Sequence, residues 1–132
     1  MSRAAQMLET YPGEIGFDAK ALAECIASCL ECAQTCTACA DACLAEGQVA
    51  ELRSCITHNA NCAEVCAATA AVLSRQTGYD AAVTRAVLEA CATACTACGD
   101  ECAHHGERGM AHCSVCADAC RRCEQACRAL LS

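Results

Sequence analysis

The cysteines of this chain recur at steps of three and four residues, and that spacing decides what the chain can fold into. Cys25, Cys29, Cys32, Cys36, Cys39 and Cys43 form one run. Cys91, Cys95, Cys98 and Cys102 form another, and Cys113, Cys116, Cys120, Cys123 and Cys127 a third. Between the first two runs lie Cys55, Cys62 and Cys66, and His58 divides their long gap into three and four. Alternating three and four averages about 3.5, the period of an inward-facing stripe in a helical bundle. The period-two alternation of a half-buried strand is absent.

The remaining residues agree with helices. Ala, Glu, Gln, Leu and Arg dominate them, and these are good helix formers. Gly47, Gly78, Gly106 and Gly109 fall between the groups, where glycine commonly ends a helix. Asp18 and Asp80 are candidate N-caps. The spacing predicts helices over 18–46, 48–76, 80–105 and 109–131, and short connections make sequential neighbours antiparallel. The expected fold is all-α. It is an antiparallel up-down-up-down four-helix bundle over 18–131, preceded by a short N-terminal segment or helix over 1–17, in a single domain. Small residues beside the seam, such as Ala33, Ala40, Ala94 and Ala119, let such helices lie close.

With 18 cysteines in 132 residues, a secreted disulfide scaffold is the first alternative. The spacing argues against it. Residues three or four apart on a helix hold their Cβ atoms about 5–6 Å apart, whereas a disulfide needs roughly 3.5–4.5 Å. The N-terminal residues Met1 to Met7 hold no apolar export-signal core, so a cytoplasmic location is expected. Plain packing is a poor explanation too, because leucine in the same positions would bury more area. Metal remains: two metal–sulfur bonds of about 2.3 Å bridge the i,i+4 separation with ordinary rotamers.

Soft thiolates select Cu(I), Zn(II) and Fe–S clusters. Charge separates them, because uncompensated charge inside a bundle is expensive. A tetrahedral four-thiolate Zn(II) site keeps a charge of about −2. Cu(I) at one ion per thiolate leaves the interior neutral, with a capacity approaching about eighteen ions per chain. Fe–S clusters ask for thiolates converging from loops, and straight helices supply rows. Cu(I) is the favoured metal; zinc, or a mixed thiophilic metal buffer, is the alternative.

Eight C-x-x-x-C pairs carry this pattern: Cys25/Cys29, Cys32/Cys36, Cys39/Cys43, Cys62/Cys66, Cys91/Cys95, Cys98/Cys102, Cys116/Cys120 and Cys123/Cys127. With Cys55 and Cys113 added, the chain resembles the bacterial copper storage proteins over residues 18–131. The resemblance implies a cysteine-lined four-helix bundle holding many Cu(I) ions, of the cytosolic type and assembled as a homotetramer.

The antiparallel arrangement gives the bundle two unlike ends. Leu22, Thr69, Leu73, Val83, Val87, Leu130 and Leu131 gather at one, which is expected to be closed. Cys43, Cys55, Cys102 and Cys113 gather at the other, with His58, His104, His105, His112 and Met110 near them. Imidazole and thioether are competent Cu(I) ligands, so this end is the expected mouth, with His58 in a seam position as the first candidate.

Composition excludes other classes. The net charge of −7 argues against a nucleic-acid partner, and no apolar run approaches a membrane span of about 20 residues. The acidic residues, among them Glu24, Glu31, Asp41, Glu64, Glu89, Asp100, Asp118 and Glu124, fall mostly off the seam and read as a solvated face. No hydrolase, phosphate or dinucleotide motif is present. No cysteine has a neighbourhood that would single it out as a redox nucleophile, so a non-enzymatic role is expected.

Overall fold

A computed structural model describes residues 1–132. Ser2 accepts a hydrogen bond from the Ala5 amide and opens α1, Arg3–Glu9. Asp18 accepts from the Ala21 amide at 2.9 Å and opens α2, Ala19–Leu44. The predicted second helix starts differently. Neither Gln48 nor Leu52 supplies a side-chain cap, and the chain enters through a 3-10 turn, Val49–Leu52, before α3, Arg53–Leu73. Asp80 accepts from the Ala82 and Val83 amides and opens α4, Ala81–Glu107. The last helix is α5, Ala111–Leu131. Gly109 takes a φ of +97° in the turn between α4 and α5, a backbone state that costs glycine little.

Gly106 does not end its helix as the sequence suggested. It lies within α4, and a Cβ there would collide with the Ser114 side chain and come within 3.1 Å of the Ser114 amide nitrogen. Its role is to let α4 and α5 approach.

The four long helices form a ring in which α2 and α4 each pack against α3 and α5. Diagonal partners meet only through side chains at the centre. Sulfur pairs give the directions. Along α2 and α5, Cys25 faces Cys127, Cys32 faces Cys120 and Cys39 faces Cys113, so numbers rise on one helix as they fall on the other. Cys55 with Cys102 and Cys66 with Cys91 give the same antiparallel sense for α3 and α4. The up-down-up-down bundle expected from the spacing is the observed fold.

All 18 cysteines are buried, within one continuous core of 28 buried residues. The α4 stripe runs Thr84, Leu88, Cys91, Cys95, Cys98, Cys102 and His105, keeping the four-and-three alternation throughout. This corrects two assignments at the apolar end. Val83 is exposed and Val87 only partly buried, while Thr84 and Leu88 take the seam. Leu22, Thr69 and Leu73 are buried there as expected, and Leu130 and Leu131 are partly buried. The N-terminal segment is strapped over this end. Tyr11 is hydrogen-bonded to Thr77 at 2.9 Å, and Phe17 meets Tyr79 edge-on at 5.9 Å.

By length and composition alone, α4 is apolar enough to cross a bilayer. Its apolarity comes from alanine and cysteine together with Val83, Val87 and Leu88, and its cysteine face is buried in the bundle.

Candidate metal centre

The interior of the bundle is a column of thiols. Every cysteine predicted from the spacing points into it, and none forms a disulfide. Sulfur neighbours lie 3.6 Å apart for Cys36–Cys116 and Cys29–Cys123, 3.7 Å for Cys66–Cys91 and 3.9 Å for Cys29–Cys91. Two metal–sulfur bonds of about 2.3 Å meeting at a tetrahedral or trigonal angle span roughly 3.8–4.0 Å. The column is therefore near ligand spacing before any metal enters. Three i,i+4 pairs already face each other at this range: Cys32–Cys36 at 3.7 Å, Cys62–Cys66 at 3.8 Å and Cys98–Cys102 at 3.9 Å.

The thiols fall into quartets whose donor atoms lie within 4.8 Å of one another. Cys29, Cys91, Cys123 and Cys127 make one toward the apolar end. Cys32, Cys62, Cys66 and Cys95 make the next, and Cys32 and Cys62 join Cys36 and Cys120 in another. Cys36 and Cys120 are shared again with Cys98 and Cys116. The quartet of Cys32, Cys36, Cys62 and Cys120 overlaps both of its neighbours, so the sets run into one another along this stretch and cannot all be filled as separate four-ligand sites.

Asn59 is a site residue that sequence reasoning missed. It is fully buried in the α3 stripe, four residues after Cys55 and three before Cys62. Its side-chain oxygen accepts from Cys98 at 3.1 Å, Cys116 at 3.3 Å and Cys102 at 3.4 Å. It is a neutral oxygen donor set among thiols.

His58, expected in that seam position, is partly exposed and borders a surface depression with Glu89 and Thr93. The seven-residue gap is filled in the order four and three, which brings Asn59 inward.

The other histidines do lie at the predicted mouth. His112 is the one joined to thiols. Its Nδ1 is 3.3 Å from Cys39 Sγ and 3.6 Å from Cys113 Sγ, and it completes a quartet with Cys39, Cys43 and Cys113. Its Nε2 is 2.8 Å from Glu46 Oε2. His105 is buried at 8 % exposure, with Nε2 3.3 Å from Glu101. His104 is exposed and stands edge-on to His105. Met110 is partly buried and lines a surface cavity with Leu52, His104 and His105. The mouth is shut over its thiols: Cys43, Cys55, Cys102 and Cys113 have no exposed surface, and Leu52 has none either.

Burial sets the protonation chemistry. Removal from water, reinforced by the charge of Cys55, pushes Cys43 up to about 11. The same two causes, with Cys43 added, push Cys113 up to about 12. Cys55 is held below the ordinary thiol value, chiefly by hydrogen bonds from Cys102 and Cys39, with the nearby His105 adding to the effect. A metal ion binding such thiols must displace their protons.

Comparison with known proteins adds the relatives. The profile of the copper storage protein family matches residues 18–132. The structure is similar to that of the copper storage protein Ccsp from Streptomyces lividans loaded with 10 copper equivalents. The two are 63% identical and superpose with a TM-score of 0.94 over 97% of each chain. A five-copper structure of that cytosolic copper storage protein is 67% identical, with a TM-score of 0.83 over 85% of this chain and 92% of that one. An uncharacterized cysteine-rich protein, YhjQ, from Bacillus subtilis is 37% identical over 106 residues, 80% of this chain and 92% of its own length. With its thiol column and this match across almost the whole bundle, the chain belongs to the copper storage protein family.

Proposed function

We propose that this chain is a cytoplasmic store that sequesters many Cu(I) ions on the thiolates of its 18 cysteines. The observation that carries the reading is the sharing of Cys32, Cys36, Cys62 and Cys120 between neighbouring quartets. Where overlapping quartets are filled together, a shared thiolate has to bridge ions. Bridging by a singly charged soft ion lets ions and thiolates balance one to one, which keeps a buried column neutral. Zn(II) in the same quartets would accumulate negative charge.

His112 belongs to the ligand set through its quartet with Cys39, Cys43 and Cys113. His104 and His105 are outer members of the mouth, and His58 stands apart from it. Asn59 adds an oxygen donor inside the column. The role is storage rather than catalysis, since no thiol is exposed to act as a nucleophile. The assembly implied by the family resemblance is a homotetramer. The solved relative described as cytosolic supports the cytoplasmic assignment.

The test is an anaerobic titration of the reduced protein with Cu(I) against a competing chelator, repeated with Zn(II). Storage of Cu(I) requires saturation near one ion per thiol and displacement of any bound zinc by copper. Saturation after a few Cu(I), with zinc retained more tightly, would identify a zinc or general thiophilic buffer instead.

A further inference from the structure

Glu46 lies just past the end of α2, in the connection to the 3-10 turn, and is partly exposed. Its one side-chain hydrogen bond crosses the mouth to α5, where its Oε2 sits 2.8 Å from His112 Nε2. A carboxylate only accepts, so the hydrogen between them is carried by Nε2. The opposite ring nitrogen, Nδ1, is the one turned toward Cys39 and Cys113. An imidazole nitrogen binds metal through a free lone pair, and which nitrogen is free is set by the partner of the other.

We infer that Glu46 is a positioning residue for copper uptake, which fixes the His112 ring and its Nε2–H tautomer so that Nδ1 is offered to an incoming ion beside Cys39 and Cys113. The inference rests on the storage reading above and names the residue that readies its first binding set. Without Glu46 the ring is free to turn and to carry its hydrogen on Nδ1, which cannot then bind.

His105 supplies an internal comparison. It also faces a carboxylate through Nε2, that of Glu101 at 3.3 Å, but makes no hydrogen bond to a thiol. Removing Glu101 takes away the same charge from the same end without touching the His112 ring.

The experiment measures the rate of Cu(I) uptake by stopped flow under anaerobic conditions, with a Cu(I)–chelator complex as donor. It compares the native protein with Glu46→Ala, Glu46→Gln and Glu101→Ala. In parallel, long-range 15N–1H correlation spectra of the metal-free proteins report the His112 tautomer. Loss of an outer-shell partner of this kind typically costs 10–100-fold in metal affinity or activity. Glu46→Ala is expected to slow the first uptake phase by about 10-fold and to populate the Nδ1–H tautomer, with final capacity unchanged. Glu46→Gln, whose side-chain oxygen still accepts from Nε2, is expected to restore most of the rate. Glu101→Ala is expected to load at the native rate.

An unchanged rate in Glu46→Ala overturns the inference. So does equal slowing in Glu101→Ala or in Glu46→Gln, which assigns the effect to charge alone. A native His112 carrying its hydrogen on Nδ1 overturns it as well. Failure of the storage reading looks different: the native protein takes up no Cu(I), while the tautomer spectra still decide the role of Glu46.

Discussion

The side-chain oxygen of Asn59 accepts a hydrogen bond from Cys98 Sγ at 3.1 Å, with Cys116 and Cys102 donating to the same oxygen at 3.3 and 3.4 Å. One amide thus organises three thiols from two helices in the metal-free protein. Replacing it with alanine strips those donors of their acceptor and opens a void. Asn59→Ala is expected to destabilise the metal-free bundle by about 1–3 kcal/mol, measured as a lower midpoint in chemical denaturation. An equal or higher midpoint would show that Asn59 does not support the empty column.

Alkaline pH should weaken the metal-free protein. Cys43 and Cys113 are raised from an ordinary value near 9 to about 11 and about 12 by burial. Below pH 9 they are neutral in both folded and unfolded states and cost nothing. Above it the unfolded chain gives up these protons first, so stability falls as pH rises from 9 toward 12. Thermal melts of the reduced protein at pH 8 and pH 10.5 check this. A melting temperature that is flat or rises across that interval would contradict it.

His112 and His58 should behave differently. His112 touches Cys39 and Cys113, while His58 borders a depression with Glu89 and Thr93. His112→Ala is expected to slow Cu(I) loading and removal several-fold while changing capacity by about one ion, in keeping with the loss of one imidazole ligand. His58→Ala is expected to load at the native rate. Stopped-flow loading and chelator-driven release distinguish them, and slowing by His58→Ala would contradict the placement of that side chain.

Copper should contribute strongly to stability. The core holds thiols where Leu, Ile and Val would bury more area, and ordered thiols bind metal better than an unfolded chain. Each site held at a hundredfold its dissociation constant adds about 2.7 kcal/mol. A few such sites raise the melting temperature by roughly 10 °C or more. Calorimetry on loaded and chelator-stripped protein measures the shift, and overlapping transitions would oppose the account.

Most of the fold is legible in the sequence because the cysteine stripe is both the helical period and the core. Asp18 and Asp80 mark helix starts that hold in the structure. Two kinds of detail are not legible. The first is phase where the stripe is broken. A gap of seven divides as three and four or as four and three, and only packing chooses Asn59 over His58. At the apolar end the spacing itself was the better guide. Counting back from Cys91 by three and then four reaches Leu88 and Thr84, whereas apolar character alone favours Val87 and Val83. The second is anything set by distant chain. Glu46 reads as one more solvated acid until α2 and α5 bring it to His112. Gly106 reads as a helix terminator until Ser114 is seen packed against it.

The central claim is that the thiols form one bridged column rather than a set of separate sites, and counting the ions tests it most directly. Native mass spectrometry of the reduced protein, loaded anaerobically with excess Cu(I) and freed of loosely held metal, gives that count. A bridged column predicts a narrow distribution close to eighteen Cu(I) per chain, about one for each thiol. A distribution stopping at about four ions, the number that independent four-thiolate sites allow, would contradict it.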